Sequence, residues 1–493
     1  MHGCKPCLVG MRFIGRQFRR FRYVAGLAAF AAVVGAWPAA VSRDSQLPAP
    51  GRDEVATATK GDFLSAERRE ELRVLDANGG IYQDAQLQGL VAGIVERLAA
   101  SSDRPDLHYR VVILNSAAVN AFSLPSGRIY VTRGLIALAN DASELAAVLS
   151  HEIGHVIARH AALHAPITAR VDPFGGFGAR AFAGSNFALA GFSRTQEVEA
   201  DTIGARISAR AGYDSYGAVR FLTAMSRNAQ LRAASADEVP SSHPATADRV
   251  SIAQTNAGRY AVPGVAERDG AVMLANVDGL VYGDDPNDGV VRGRQFLHAG
   301  LGFTFTAPPG YSLTRSGEVL MGLRAGGGEM LLLEPAAIPR EQSLTDYLAS
   351  GWMQDLDRRS IAEASLHGLP AATATAEGSQ WSFRVLVVSL DKAAVRLIFA
   401  AKPGTGDIDQ AFRDLATTFR PLTAAEIAAA KPLRVRVVTV QPGDTPAKLA
   451  LRMAGVDRPL ERFLALNGLS AGQAFKPGDE VKLITQDGHV GHR

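Results

Sequence analysis

Cysteine is nearly missing from this chain: 493 residues include two, Cys4 and Cys7, both ahead of the first apolar run. No disulfide framework holds such a fold. Once the N-terminal segment is removed, no thiol is left for an oxidising compartment to damage. A dominant charge is missing too. The formal net charge is +3, but residues 1–42 hold six basic residues and no acidic one, so the remainder carries −3. Without a basic patch, nucleic acid is excluded as a partner. Repeated long hydrophobic runs are also lacking, which argues against a polytopic membrane protein.

The one such run, residues 23–40, follows Arg12, Arg16, Arg19, Arg20 and Arg22 and precedes Ala40-Val41-Ser42, with small residues at −3 and −1. That is the pattern of a bacterial secretory signal cut after Ser42, with a periplasmic destination. An uncleaved anchor is the rival reading, because the run is nearly long enough to span a bilayer. Cys4 and Cys7 precede it and so make no lipoprotein site. At 47% hydrophobic, the rest can bury several cores in about two to four domains.

His151-Glu152-Ile153-Gly154-His155 carries the chemistry. Residues four apart share a helical face, so both imidazoles can reach one metal ion, and Glu152 beside them can act as general base. Leu145, Val148, Leu149 and Val156 give the flanking helix its apolar spacing, and Asp141 with Glu144 reads as its cap. A catalytic zinc needs a third protein ligand. Ser193 and Gln196 have capping-box spacing, so a second helix is expected to start at Arg194. On it Glu197 is the expected third ligand, and Asp201 the acceptor for the free N–H of a ligand histidine. Glu199, off that face, is the competitor.

These segments, with Ser242-His243-Pro244 and Arg249 downstream and Asn120-Ala121-Phe122-Ser123-Leu124-Pro125 upstream, resemble the forty-eighth family of metallopeptidases. That gluzincin group includes the CAAX-prenyl and heat-shock membrane proteases and soluble envelope proteases. The resemblance covers residues 66–256 and points to the soluble branch. It implies one Zn2+ per chain in an α+β fold, a mainly helical domain with a small sheet. Two roles are open to His243: stabilising an oxyanion, or ligating zinc when substrate is absent. Arg249 is expected to pair with an acidic residue and order its loop. Arg128, Ile129, Tyr130, Val131 and Thr132 read as a strand. As a sheet edge it would bind a peptide by backbone pairing; as an interior strand it would not.

The expected organisation is signal 1–42, linker 43–62, metallopeptidase domain 63–263, linker 264–294, α+β accessory domain 295–422, helical linker 423–434 and a last unit at 435–486. In the accessory domain strands are expected at 302–307, 330–333, 381–390 and 394–400, and helices at 344–353 and 408–419. No catalytic constellation appears there. The last unit, with Gly443-Asp444-Thr445, Leu466-Asn467-Gly468 and Lys476-Pro477-Gly478-Asp479, resembles a LysM module. That resemblance implies a βααβ fold and binding to peptidoglycan glycans, although Pro446 stands where leucine is usual. The Ala-rich linker suggests a separately folding unit. Membrane contact is expected only through the signal segment or the Gly- and Phe-rich stretch 171–191. The expected function is a periplasmic zinc endopeptidase, loosely tethered to the wall, acting on unfolded or misassembled envelope proteins. The alternatives are a wall-associated binding or chaperone protein with an inactive zinc site, and a hydrolase of peptidoglycan peptides.

Overall fold

In the computed structural model, α1 (Ala66–Ala77) and α2 (Ala85–Ala100) precede β1 (Arg110–Leu114), β2 (Ala121–Ser123), β3 (Arg128–Thr132) and a short α3 (Arg133–Leu138). Then come α4 (Ala142–Ile157), α5 (Arg194–Arg210), α6 (Gly217–Ala233), α7 (Ala247–Tyr260) and α8 (Gly270–Val277). The structure describes residues 66–160, 192–233, 243–261 and 268–486, apart from 354, 379, 392, 471, 474 and 475. The signal segment 1–42, the linker 43–62 and the stretch 171–191 lie outside the described residues.

Local chemistry starts each site helix. The Asp141 carboxylate accepts the Glu144 N–H at 2.8 Å and caps α4. Glu144 turns its own carboxylate to the Asn140 N–H at 2.9 Å, one residue ahead of the reciprocal partner expected for a capping box. Ser193 and Gln196 form the complete box, so α5 starts at Arg194 as the spacing predicts. The two helices touch at their backbones. A Cβ on Gly154 would stand 2.9 Å from the Ala200 carbonyl oxygen, and one on Gly204 2.8 Å from the His151 nitrogen. Only glycine permits that approach, and it brings the first turn of α5 against the histidine pair.

The small sheet has the order β1-β3-β2. β1 and β3 run parallel, Arg110 opposite Arg128, and β2 and β3 antiparallel, Ala121 opposite Val131. Arg128–Thr132 is therefore the interior strand, paired on both sides and buried from Ile129 onward. This corrects the substrate-edge expectation: its backbone groups are already used, and the interior alternative is the one observed. The outer strand beside α4 is β2.

Downstream, the 264–294 stretch is more than a connection. α8 sends Met273 and Val277 into the same core as α2, α4 and α6, and β4 (Val281–Tyr282) follows. Next come β5 (Val290–Arg292), β6 (Gln295–His298), β7 (Phe303–Thr306), β8 (Tyr311–Ser316), β9 (Val319–Arg324), β10 (Glu329–Ala336) and α9 (Leu344–Ala349). β11 (Leu356–Leu366), β12 (Leu369–Glu377), β13 (Ser382–Ser389), β14 (Ala394–Ala401), α10 (Ile408–Thr418) and β15 (Arg420–Pro421) complete that region. Its main sheet is antiparallel, ordered β11-β12-β13-β14-β10-β9-β8. α9 covers one face through Tyr347 and Leu348, and α10 the other through Ala411 and Leu415. The 302–307, 330–333, 381–390 and 394–400 strands and the 408–419 helix appear where expected, while the helix expected at 344–353 ends at Ala349.

After α11 (Ala424–Ala429) the chain runs β16 (Leu433–Thr439), α12 (Pro446–Ala450), α13 (Pro459–Leu466) and β17 (Glu480–Gln486). β16 pairs antiparallel with β17, and Leu433 and Arg434 also pair with Tyr282 and Val281 of β4. Val435, Leu466 and Ile484 enter the core built by α2, α4 and α6. Fully buried Lys482 donates to the carbonyls of Ala137, Leu138 and Ala139 at 2.8, 3.2 and 2.8 Å. Burial pushes its ammonium down to about 7, against the pull of the Glu144 and Asp141 carboxylates. This segment is thus not a detached unit. It closes the corner between α3 and α4, and the described residues from 66 onward cluster as one body.

Candidate metal centre

α4 aims His151 and His155 at the first turn of α5, and the loop before α7 brings His243 over them. Ligand atoms of His151, His155, Glu197 and His243, all buried, lie within 4.8 Å of one another. The Nε2 atoms of His155 and His151 are 3.0 Å apart, and His151 Nε2 is 3.3 Å from His243 Nδ1. The Glu197 carboxylate reaches both ligand histidines at 3.6 Å and His243 Nδ1 at 2.7 Å. Donors about 2.0–2.1 Å from a tetrahedral zinc stand roughly 3.3 Å from one another, so this spacing and this N/O donor set fit zinc.

The remaining site residues fall around that cluster. Glu152, 1% exposed, is not part of it; its Oε1 lies 3.6 Å from His243 Nε2. The Ser123 hydroxyl, on β2, donates to both the carboxylate and the backbone carbonyl of Glu152 at 3.1 Å. Asp201 accepts from His151 Nδ1 at 2.8 Å. Arg249 binds Asp201 through two nitrogens at 2.8 and 2.7 Å and reaches Glu197 at 2.9 Å. It holds Glu197 and Asp201 of α5, which is more than ordering its own loop. Glu199 meets no ligand and faces His160 instead.

Charge balance in this buried pocket favours metal-ready donors. Burial, aided by His151 and His243, pushes His155 far below the usual imidazole range, leaving it neutral. Burial alone would raise the Glu197 and Asp201 carboxyls. The His243 hydrogen bond, with His243, His151 and Arg249 charges, lowers Glu197, while Arg249 and His151 lower Asp201. Burial works against a charged His243, but Glu152 and Glu197 outweigh it and raise its pKa.

Spacing did not single out Ser123, His160 or Phe192, which all reach the site. Phe192 lies over His155 with ring centroids 4.0 Å apart. His160 had a signal available, an imidazole just beyond the end of α4, but a residue five past His155 leaves the ligand face of a regular helix. Asp201→Ala is expected to weaken zinc binding by about 10–100-fold, measured by chelator competition. An unchanged affinity would show that His151 needs no such partner.

Two imidazoles one turn apart, a carboxylate from the next helix and a second carboxylate beside them define a metallopeptidase-type zinc site. Residues 85–257, which contain all of it, match Peptidase family M48. Over those residues the chain is similar to members of that family. Among curated relatives, the mitochondrial metalloendopeptidase OMA1 of Schizosaccharomyces pombe is 31% identical over 169 residues, 32% of this chain and 50% of that protein. The putative beta-barrel assembly-enhancing protease of Vibrio cholerae is 28% identical over 211 residues, 38% of this chain and 43% of that one. The beta-barrel assembly-enhancing protease of Yersinia pestis is 26% identical over 247 residues, 46% of this chain and 49% of that protein. The chain thus spans about half the length of these relatives or somewhat less.

Proposed function

We propose that this protein is a zinc-dependent endopeptidase of the bacterial envelope that hydrolyses unfolded or misassembled envelope proteins. The observation that carries the reading is the buried cluster of His151, His155 and Glu197 with Glu152 beside it and outside the donor set. Relatives named as beta-barrel assembly-enhancing proteases support the substrate class. Among the described residues no helix is long and apolar enough to cross a membrane.

Substrate backbone would pair along β2. Asn120 and Leu124 bond across to Thr132 and Arg128 of the β3 segment. Antiparallel alternation therefore turns the backbone groups of Ala121 and Ser123 outward, toward an extended peptide. Such pairing reads no side chains, which suits an enzyme acting on many unfolded sequences. A cleft beside Glu152, lined by Ala121, Val148, Phe221, Leu222 and Met225 among others, would take an apolar side chain near the scissile bond.

His151, His155 and Glu197 would hold zinc, which would supply polarisation of a carbonyl and acidification of a water. Glu152, held by Ser123, would take a proton from the attacking water and hand it to the leaving amine. Arg249 and Asp201 keep Glu197 and His151 in place through the cycle. His243 is assigned the developing oxyanion, so His243→Ala should lower kcat by roughly 10²–10³ with zinc retained. A rise in activity would instead make His243 a resting ligand that substrate displaces, and no change would remove it from the mechanism.

The test is degradation of casein by the purified full chain. Cleavage abolished by a chelator and restored by zinc supports the reading. Intact casein with zinc bound would favour a binding or chaperone protein, and release of muropeptides from purified sacculi a wall hydrolase. The C-terminal segment is proposed to bind peptidoglycan glycans, so the full chain should co-sediment with sacculi. A chain that never pellets would withdraw the wall tether.

A further inference from the structure

The two ligand histidines are anchored differently. His151 turns its outer nitrogen, Nδ1, directly to the Asp201 carboxylate at 2.8 Å. His155 turns its Nδ1 away from the cluster to His160 Nδ1 at 3.0 Å, and His160 Nε2 meets Glu199 Oε2 at 3.2 Å. α4 ends just before this point: Ala158 closes the last turn and Arg159 takes a left-handed φ of 56°. That reversal folds His160 back onto the turn it follows, where it is 2% exposed and screened from water.

We propose that His160, backed by Glu199, is a positioning residue that fixes the tautomer and ring orientation of the zinc ligand His155. The inference rests on reading the cluster as a zinc site. Proton bookkeeping along the chain has one consistent solution for neutral rings. A carboxylate only accepts, so His160 Nε2 carries a hydrogen and donates to Glu199. His160 Nδ1 is then an acceptor, so His155 Nδ1 carries a hydrogen and donates to it. The lone pair of His155 therefore lies on Nε2, the atom 3.0 Å from His151 Nε2 and 3.6 Å from Glu197. It is a carboxylate–histidine–zinc arrangement with one imidazole inserted, and the inserted ring does most of the holding because Glu199 is 56% exposed.

Zinc release to a chelator, followed in the full chain at fixed pH, tests this without using peptide cleavage. His160→Leu should speed release by about 10–100-fold, the range typical of residues behind a ligand. His160→Gln, whose amide oxygen can still accept from His155, should recover most of the loss. The exposed Glu199→Ala, which cannot disturb the core, should give a smaller acceleration in the same direction and keeps the idea testable if His160→Leu misfolds. Equal effects of Leu and Gln, tracking only a lower Tm of the metal-free protein, would reduce His160 to packing and overturn the proposal. So would release rates unchanged in every variant while the parent chain binds zinc tightly. A parent chain that binds no zinc would overturn the zinc-site reading itself, and this inference with it.

Discussion

Glu152→Gln should leave about one zinc per chain and lower peptide cleavage by about 10³-fold or more. The amide keeps the size of the carboxylate and its hydrogen bond from Ser123, so the buried pocket stays filled. It cannot take a proton from water or pass one to the leaving amine, and both steps fail together. Because Glu152 stands outside the donor cluster, metal content should not follow activity down. Metal analysis beside a peptide-cleavage assay checks both. Zinc lost along with activity would make Glu152 structural, and activity retained would remove the general base from the mechanism.

A chain ending at Ala430 should fail to fold its catalytic half, even though every proposed zinc and catalytic residue is kept. Truncation uncovers the surfaces under Val435, Leu466 and Ile484 in the core shared with α4. At about 2 kcal/mol for each buried apolar side chain, that loss rivals the roughly 5–15 kcal/mol stability of a whole domain. It also removes the Lys482 ammonium from the carbonyls of Ala137, Leu138 and Ala139 and from near the buried Glu144 at the start of α4. Expected outcomes are an insoluble or loosely packed product without zinc or activity. A truncated chain with cooperative unfolding and full zinc content would show that β16 and β17 are dispensable.

That second expectation reverses what the sequence suggests, and the reason is physical. An Ala-rich helix before a motif of its own reads as a spacer, and α11 is indeed there with no buried residue. What a sequence pattern does not display is the third strand partner. β4 is two residues long, and its pairing with Leu433 and Arg434 spans some 150 positions. A buried lysine likewise looks like a surface residue until its carbonyl acceptors are known. The site was more legible because its residues are set by helical spacing: His151 with His155, Ser193 with Gln196, Glu197 with Asp201. Whether Arg128–Thr132 was edge or interior depended on β1, a strand whose partner order leaves no trace in local alternation. β12 was missed for a different reason. Its alanines favour helix by propensity, yet Ala372, Ala374 and Ala376 alternate onto one buried face under α9. Small side chains there let a helix pack close to the sheet, a tertiary preference that overrides the local one.

In the mechanism proposed, Glu197 holds the zinc with His151 and His155, while Glu199 two residues on acts only behind it. Zinc per chain in Glu197→Gln and Glu199→Gln, purified side by side, tests it most directly. Glu197→Gln should lose its zinc and Glu199→Gln should keep about one per chain. Zinc retained in Glu197→Gln and lost in Glu199→Gln would contradict it.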